Sequence, residues 1–367
     1  MALKSILRFS LITLVMIPTA VFSQSNPELE TVASFGESMA IGLSVNSENR
    51  VFVSFPNGDG DNSGISLAEV KGNSLVPYPS QAWNETELSK DKRWVRVQDI
   101  YVDDQDFLWV LDSKPGAAGN IFGKEGEQNG EFKLVAINTR TNEVEKSYTF
   151  ESLDLTQSAL NDVRVDTRNN KAYFSDPGLA SIVVLDLETR EVVSRLENSD
   201  FTLAKEDIVL EYNGKPMVDK DGNPFSSNIN SIALSPDGKY FYFKPINHHH
   251  LFRIETQHLA NNNLSDQQLA EHVEDLGKVG VTHGMVADKN GNIYLTTSES
   301  FSISFIDTNG KLHTLVKSPE LLWPDSLGVG TDGYLYFTCA QMQHQPNWNN
   351  GQNKTEFPFK AFRVKLP

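Results

Sequence analysis

The chain has 367 residues, and its 32 Lys and Arg against 48 Asp and Glu give a formal net charge of −16. This excess of acidic residues repels nucleic acid and anionic membrane surfaces, so we expect neither as a partner. The sequence contains one cysteine, Cys339, which excludes a disulfide framework.

The first 23 residues have the features of a secretory signal. Lys4 and Arg8 provide a basic start, and residues 11–17 form an apolar run that is too short to cross a bilayer. Val21 and Ser23 fit the minus-three and minus-one positions of a cleavage site, so we expect cleavage after Ser23. Cleavage removes two basic residues and no acidic one, which changes the formal charge from −16 to −18. We expect secretion, to the periplasm or outside the cell, without stable membrane insertion.

The rest of the chain repeats one pattern, in which an alternating strand, a polar turn and a second apolar strand follow each other. Residues 98–113 are the fullest example: residues 100–103 alternate, residues 104–106 form the turn and residues 108–111 are apolar. Five further copies have the same order. An aromatic residue stands at the same place in each of the six copies, namely Phe52, Trp109, Tyr173, Tyr242, Tyr294 and Tyr336.

The spacing of these aromatic residues predicts the fold. They are 57, 64, 69, 52 and 42 residues apart. A repeat of roughly 40–50 residues with four strands is typical of a β-propeller blade, and longer intervals indicate insertions. We predict an all-β fold, a single six-bladed β-propeller over residues 24–367 with four-stranded antiparallel blades around a central channel. An irregular β-sandwich is the alternative.

Three segments have a predicted place in this propeller. Residues 29–35 are expected to pair with the last blade, because a ring has to be closed. Residues 197–227 are polar and punctuated by Gly and Pro, so we expect them to pass over one face. Residues 256–275 are expected to hold a helical turn. Trp109, the bulkiest of the six equivalent aromatic residues, is expected to be buried between blades.

Two residues precede the innermost strand of each blade, and we expect them to form two adjacent rings around the channel. The first ring is Ile41, Gln98, Asn161, Asn230, His283 and Asp325, and the second is Gly42, Asp99, Asp162, Ser231, Gly284 and Ser326. Carboxylate, amide and imidazole groups from different blades then meet at one end of the channel, as a polar ligand or a metal ion requires. Strand alternation leaves open which ring faces inward. The alternative is that these side chains cap turns.

The chain resembles the Yellow and major royal jelly protein family over nearly its whole length after the signal. The matching stretches are residues 50–56, 76–84, 97–112, 133–137, 160–163 and 175–176, and Pro245 with residues 251–254, of which Phe55-Pro56 and residues 108–112 are the most specific. This resemblance implies a six-bladed propeller that either binds a biogenic amine or converts dopachrome by tautomerisation. Animal members typically carry disulfides, so the single Cys339 points to a bacterial branch.

A more distant resemblance is to lactonases of the senescence-marker and gluconolactonase type, which are also six-bladed propellers. This resemblance implies a divalent ion held on the axis by a Glu, two Asn and an Asp. Asn161 and Asn230 stand at the positions of the two Asn, His283 at that of the Asp, and Glu37 near that of the Glu. Calcium prefers oxygen ligands, so His283 favours a transition metal or no metal. We expect no cofactor, with a divalent metal as the alternative.

These residues predict a ligand site on the axis of a monomer. His283 is the candidate general acid and base, because an imidazole beside a carboxylate can shuttle protons at neutral pH, and Asp325 would orient it or hold a cation. The acidic axis favours a cationic, amine-like or catechol-like ligand. The ligand-binding candidates are Gln98, Asp99, Asn161, Asp162 and Asn230. A dopachrome-type tautomerase, a metal-assisted lactonase and a non-catalytic interaction scaffold are the functions left open.

Three further sets of residues have a predicted place in the structure. Residues 248–250 are consecutive histidines that cannot all face one ion, so we expect surface positions. His344 and Trp348 lie in a loop of the last blade and are expected to border the mouth of the channel. Gly284 is expected to leave room for a ligand to approach the backbone beside His283.

Overall fold

The computed structural model describes residues 27–56, 64–118 and 128–367. The predicted export signal, residues 1–23, lies outside these ranges. The strands of the described residues, in chain order, are β1 (Leu29–Ser34), β2 (Leu43–Val45), β3 (Val51–Ser54), β4 (Leu67–Lys71), β5 (Ser74–Pro77), β6 (Val97–Val102), β7 (Phe107–Lys114), β8 (Glu131–Asn138), β9 (Glu143–Thr149), β10 (Val163–Asp166), β11 (Lys171–Asp176), β12 (Ser181–Asp186), β13 (Val192–Arg195), β14 (Glu211–Tyr212), β15 (Lys215–Pro216), β16 (Ile229–Leu234), β17 (Tyr240–Pro245), β18 (His250–Glu255), β19 (Glu274–Lys278), β20 (Met285–Ala287), β21 (Ile293–Thr297), β22 (Ser302–Ile306), β23 (Leu312–Lys317), β24 (Pro324–Val329), β25 (Tyr334–Cys339) and β26 (Lys360–Lys365).

These strands form six four-stranded antiparallel sheets, while β14 and β15 pair only with each other. The sheets are β2–β5, β6–β9, β10–β13, β16–β19, β20–β23, and β24–β26 with β1, and we call them blades 1 to 6. The inner strand of each blade contacts the inner strands of its two neighbours, in the cyclic order β2, β6, β10, β16, β20, β24 and back to β2. The predicted six-bladed all-β propeller is therefore confirmed.

Blade 6 is completed by the two ends of the described chain. β1 pairs antiparallel with β26, with Leu29 opposite Val364. Arg363 on β26 adds an ion pair of 2.7 Å to Glu30 on β1. The prediction that residues 29–35 close the ring is confirmed, because blade 6 takes its fourth strand from the start of the chain.

The core lies between blades, where the second strand of each blade packs against the next blade. All six equivalent aromatic residues are buried. Trp109 is only 2% exposed and packs with Val163 and Val165 of blade 3. Tyr173 of blade 3 lies 5.4 Å from the ring of Phe241 in blade 4. The aromatic repeat therefore marks the contacts between blades, and the predicted burial of Trp109 is confirmed.

Helices in the described residues are short. The α-helices α1 (Thr256–Leu259) and α2 (Asp266–Ala270) lie between β18 and β19, as expected for a helical turn there. Ser265 caps α2 by accepting from the amide of Gln268, whose side chain accepts from the Ser265 amide in return. Single 3₁₀ turns occur at Gln81–Asn84, Lys90–Lys92, Ser298–Ser300, Met342–His344 and Pro346–Trp348. Among the residues described, no helix has the length and apolar character needed to span a membrane.

The segment between β13 and β16, residues 196–228, lies over the end of the channel at which the inner strands begin, and we call it the insertion. It contains the hairpin β14–β15. The ring of Phe225 packs edge-on against Trp323, which precedes β24, with centroids 5.4 Å apart. The ring of Tyr212 lies 6.0 Å from the same indole. The expectation that residues 197–227 pass over one face is confirmed.

Candidate functional site

The inner strands begin with irregular backbone, which brings the first-ring residues to one end of the channel. In blades 2, 4 and 6 the register shifts at the start of the inner strand, and this leaves Gln98, Asn230 and Asp325 at β-bulges. A bulge adds an unpaired residue and re-aims its side chain. In blades 3 and 5 the equivalent residues Asn161 and His283 stand just before the strand. Side chains from neighbouring blades therefore approach each other here.

A buried ion pair joins the inner strands of blades 2 and 3. Arg164 on β10 lies 3.1 Å from the carboxylate of Asp99 on β6, and both side chains are buried. The other terminal nitrogen of Arg164 donates to the carbonyl oxygen of Met285 in blade 5, at 2.8 Å. Asp99 also accepts from the amide of Val163, at 3.0 Å, and from the hydroxyl of Ser326 in blade 6, at 3.2 Å. Arg164 and Asp99 together tie four blades to one another through charge-assisted hydrogen bonds.

Two more carboxyl groups face this ion pair. Burial and then the charge of Asp99 raise the pKa of Asp162 well above its ordinary value, and they raise the pKa of Asp325 to about 7. The guanidinium of Arg164 opposes the shift of Asp162 but cannot neutralise all three carboxyl groups. Asp162 and Asp325 therefore hold protons at a pH where an exposed carboxyl group has lost its own.

A chain of amides extends from these carboxyl groups along the first ring. The side-chain nitrogen of Gln98 donates to the amide oxygen of Asn161, at 3.1 Å. The nitrogen of Asn161 donates to the carboxylate of Asp162, at 2.8 Å. Gln98, Asn161 and Asp325 are partly exposed, whereas Asp99 and Asp162 are buried. Within this cluster, Gln98, Asn161 and Asp325 are therefore the side chains with surface that a bound molecule could contact.

His283 is stacked and does not touch Asp325. Its ring lies on that of Trp323 with centroids 3.7 Å apart, and its Nε2 is 2.6 Å from the hydroxyl of Ser298. The indole N–H of Trp323 donates to Asp325 at 3.2 Å, so Trp323 stands between the two predicted catalytic residues. Burial lowers the pKa of His283 well below its ordinary value of 6.5. The ring is therefore neutral at physiological pH, and the direct imidazole–carboxylate contact that the sequence predicted is not formed.

A buried amine, Lys244 on β17, lies near this stack. Its side chain is fully buried, and its nitrogen donates to the carbonyl oxygen of Pro245 at 2.8 Å. Burial lowers the pKa of Lys244 to about 7. Its charge also contributes, after burial, to the lowered pKa of His283. The amine of Lys244 therefore lies near the stack and titrates close to neutral pH.

Two second-ring glycines allow the inner strands to approach each other. A Cβ atom at Gly284 would lie 2.1 Å from the carbonyl oxygen of Asp325 in blade 6. A Cβ atom at Gly42 would lie 2.5 Å from the hydroxyl of Ser54 and 3.2 Å from the Cα of Asp99. The expectation that Gly284 leaves room for a ligand is wrong, because the backbone of blade 6 fills that space.

The remaining predicted residues, Asn230 and residues 248–250, differ in their burial and in their hydrogen-bond partners. Asn230 is buried at its bulge, and in the described part of the chain it has no hydrogen bond to the amide chain of Gln98. Residues 248–250 are half-buried, and His250 pairs with Asp275 at 2.8 Å. These histidines therefore lie at and just before the start of β18, the third strand of blade 4, and not at the axis.

Sequence reasoning missed four residues of the site, namely Arg164, Lys244, Ser298 and Trp323. Alignment of the repeats contains a signal for one of them. The position of Lys244 in its blade is a hydroxyl residue in four other blades, namely Ser54, Ser175, Thr296 and Thr338. A lysine at a buried position where four other blades carry a hydroxyl residue indicates a functional site, because a charged group is rarely buried without a function or a partner.

The residues present do not fit the divalent-ion set of the lactonases. Glu37 is exposed on the turn after β1, and the Nε2 of His283 is bonded to Ser298. The carboxylate of Asp99 is already paired with the guanidinium of Arg164, which supplies a positive charge at the axis. Within residues 27–56, 64–118 and 128–367, no cluster of three or more His, Cys, Asp or Glu could hold a metal ion.

Comparison with known sequences gives one family. A sequence profile described as "Major royal jelly protein" matches residues 95–366. Major royal jelly protein 3 of Apis mellifera is 24% identical over an alignment of 265 positions, which covers 67% of this chain and 45% of that protein. The chain therefore spans less than half the length of this relative.

Comparison with solved structures gives the same architecture. A gluconolactonase from Xanthomonas campestris has a TM-score of 0.53 at 13% identity, over 93% of this chain and 90% of that one. Regucalcin, a calcium-binding protein from Agrobacterium tumefaciens, has a TM-score of 0.55 at 15% identity, over 93% and 96%. A streptogramin B lyase has a TM-score of 0.51 at 12% identity, over 93% and 98%. At these identities the similarity extends to the propeller fold alone.

Proposed function

The chain belongs to the major royal jelly protein family, and on that premise we propose that it binds a small aromatic amine at the end of the channel where the inner strands begin. One observation carries the proposal: the carboxyl groups of Asp162 and Asp325 lie close to Asp99, whose charge raises the pKa of both, while Arg164 is ion-paired with Asp99. A bound ammonium group would favour release of the proton that Asp325 holds and would then pair with the carboxylate that forms. Buried carboxyl groups with raised pKa values gain most from such a cation.

The groups around the carboxyls suit the rest of such a ligand. Gln98 and Asn161 present amides that can donate to and accept from ring hydroxyls. Asp325 is partly exposed and is held by the indole N–H of Trp323, so it is the carboxyl group best placed to contact the ammonium. The pairing of a buried charge with an opposite charge in a dry site is far stronger than in water.

The same site has a group suited to tautomerisation. A tautomerisation removes a proton from carbon and returns a proton to an oxygen of the same molecule, so no oxidant or reductant is needed. With a pKa of about 7, the carboxyl group of Asp325 can accept a proton and give one back near neutral pH. We extend the proposal to a dopachrome-type tautomerase in which Asp325 carries the proton.

Two alternatives have less support. The shared propeller fold agrees with a lactonase, but the metal ligands of that class are not assembled around Glu37 and His283. A pure interaction scaffold needs no polar cluster in its channel, yet Gln98, Asn161 and Asp325 keep accessible surface there. A small-molecule site explains both the unassembled metal ligands and the partly exposed polar side chains.

Calorimetric titration of the purified protein tests the binding proposal. Dopamine and serotonin should bind, and 4-methylcatechol, which lacks the amine, should bind at least about tenfold more weakly. Asp325→Asn should weaken dopamine binding by a similar factor, since it removes the charge and keeps the shape. Glu188→Gln, at an exposed position in the turn between β12 and β13, is the matched control and should bind as the wild type does. Equal dopamine affinity in Asp325→Asn and the wild type would overturn the proposal.

The catalytic extension has its own assay. Wild-type protein should accelerate the loss of dopachrome absorbance, and Asp325→Asn should not, whereas Glu188→Gln should. If the wild type binds dopamine but leaves dopachrome decay unchanged, the protein is a binding protein and the tautomerase assignment fails.

We also propose that the chain is exported, on the basis of its basic start and short apolar run. When the full chain is expressed in a bacterium, N-terminal sequencing of the periplasmic protein should begin at Gln24. A variant that lacks residues 2–23 should stay in the cytoplasm. Full-length protein in the membrane fraction would contradict cleavage after Ser23.

A further inference from the structure

A cavity lies between the insertion and the long loop that joins β25 to β26, and none of the three carboxyl groups of the axis lines it. It has a volume of about 530 Å³, within the range of about 300–1,000 Å³ that is usual for small-molecule sites. Its walls come from residues 212–219 of the insertion and residues 343–354 of the loop, and we call it the rim pocket. His344 and Trp348, which the sequence places at a channel mouth, both line it.

The residues that line the rim pocket include buried polar atoms that have no hydrogen-bond partner in the part of the chain that the structure describes. Both amide atoms of Gln343 are buried without a hydrogen bond, and its side chain is only 8% exposed. The Nδ1 atom of His344 and the indole N–H of Trp348 are unpartnered as well. Buried polar groups in folded proteins almost always have partners, so a set of unpaired groups around one cavity indicates a missing ligand.

The chemistry of these atoms selects the kind of ligand. Gln343 offers one acceptor and two donor hydrogens, and Trp348 offers a donor. The half-buried carboxylate of Asp219 is already bonded to the backbone and side chain of Asn223, and Lys215 is exposed at the rim. The unpaired part of the pocket is therefore neutral. A hydroxyl group both donates and accepts, so a molecule with several hydroxyls matches it.

The walls of the pocket are held in place without a ligand. Trp348 packs edge-on against Phe225, with ring centroids 5.5 Å apart, and Phe225 anchors the insertion on Trp323. The side-chain nitrogen of Asn349 donates to the carbonyl oxygens of Gln343 and Gln345, at 2.9 Å each. A preorganised pocket loses less entropy when it binds a ligand.

We propose that the rim pocket is a carbohydrate site for a neutral mono- or disaccharide unit, either as a free sugar or as the end of a glycan. The proposal does not depend on the axial site, because no residue that lines the rim pocket belongs to the carboxyl cluster. Trp348 would form a wall for the sugar, and Gln343 would bind its hydroxyls. Buried tyrosine and methionine side chains, Tyr212 and Met217, provide the apolar part of the surface.

Saturation-transfer NMR and calorimetry with glucose, N-acetylglucosamine, sucrose and maltose test this site, together with an array that presents the same sugars at the ends of immobilised glycans. We expect at least one sugar to bind with a Kd on the order of 1 mM or below. Binding in solution identifies a free sugar as the occupant, and binding on the array alone identifies a glycan end. No binding in either format overturns the proposal.

Variants separate a ligand site from a structural amide. Gln343→Leu should weaken sugar binding at least about tenfold while its melting temperature is equal to or above that of the wild type, because the substitution removes unpaired buried atoms. The exposed Gln267→Leu in α2 is the matched control and should change neither property. Unchanged binding in Gln343→Leu would overturn the proposal. If that variant does not fold, Trp348→Phe, which keeps a ring and removes the N–H donor, should show the same loss of binding, and full binding by it would overturn the proposal.

Discussion

The guanidinium of Arg164 and the carboxylate of Asp99 lie 3.1 Å apart at the centre of the propeller, although they are 65 residues apart in the sequence. The axis therefore contains a cation that belongs to the protein itself. Since this cation is bonded to blades 2 and 5 and belongs to blade 3, it is a structural element as well as part of the charge balance of the site. A cationic ligand would favour the ionised form of the remaining carboxyl groups, Asp162 and Asp325.

Loss of Arg164 should destabilise the whole ring. Arg164→Met leaves Asp99 buried without its counter-charge, which we expect to lower the free energy of unfolding by roughly 3–5 kcal/mol. The double variant Arg164→Met with Asp99→Asn should recover part of this loss, because it removes the unpaired charge. Urea unfolding followed by tryptophan fluorescence measures both. Arg140→Met, in the exposed turn before β9, is the control, and a loss of equal size there would contradict the assignment.

Trp109 should be one of the most sensitive positions of the core. Its indole packs between blades 2 and 3, and its N–H donates to the carboxylate of Asp103 at 2.7 Å. Trp109→Ala should lower the free energy of unfolding by roughly 3–5 kcal/mol, because a large cavity remains. Trp109→Phe keeps a ring but leaves Asp103 without this donor, so it should lose about 1–3 kcal/mol. A melting temperature of Trp109→Ala within about 2 °C of the wild type would contradict the assigned packing.

The stability of the protein should depend on pH through Asp325. The pKa of this carboxyl group is about 7 in the folded protein and 3.8 as an ordinary aspartate, so between these values the folded state holds a proton that the unfolded state has lost. This contribution to stability is present below the lower value and is lost as the pH rises through the upper one. The unfolding free energy of Asp325→Asn, relative to the wild type, should therefore increase across this window. Urea titrations at intervals of pH measure it, and a constant difference would place Asp325 in a solvated setting.

The imidazole of His283 should be neutral, and it should contribute to the site by stacking on Trp323. Since burial holds its pKa well below 6.5, its NMR resonances should not titrate near that value. His283→Phe keeps the stack on Trp323 but removes the nitrogen that faces Ser298. Since Asp325 carries the proton in the proposed reaction, this variant should keep dopachrome turnover, and its melting temperature should stay within a few degrees of the wild type. Loss of turnover in a variant that remains folded would instead assign His283 a role in proton transfer.

The sequence was sufficient to predict the blades and the ring closure, because both depend on local patterns. Alternation, polar turns and the equivalent aromatic residues identify each hairpin, and the segment at residues 29–35 was the unpaired strand that a closed ring needs. It was also sufficient to locate the rings of residues near the axis. The directions in which these side chains point were not predictable, because bulges at Gln98, Asn230 and Asp325 interrupt the regular alternation of side chains.

The contacts between blades could not be predicted from the sequence. The partners of Arg164, Lys244 and Trp323 depend on the distance and rotation between neighbouring sheets, and those follow from packing and not from the pattern inside one repeat. The role of Gly284 was mispredicted for the same reason. Its missing side chain accommodates the backbone of the adjacent blade, which only the assembled ring brings to that position.

The pairing of β1 with β26 also sets the order of events during synthesis. The strand made among the first residues finds its partner only when Lys360–Lys365 have been made, at the other end of the chain. Until then the ring is an open arc, and its first and last blades expose faces that are buried in the finished protein. We therefore expect ring closure to be the last step in assembly of the propeller, and the axis to gain its final geometry only at that step.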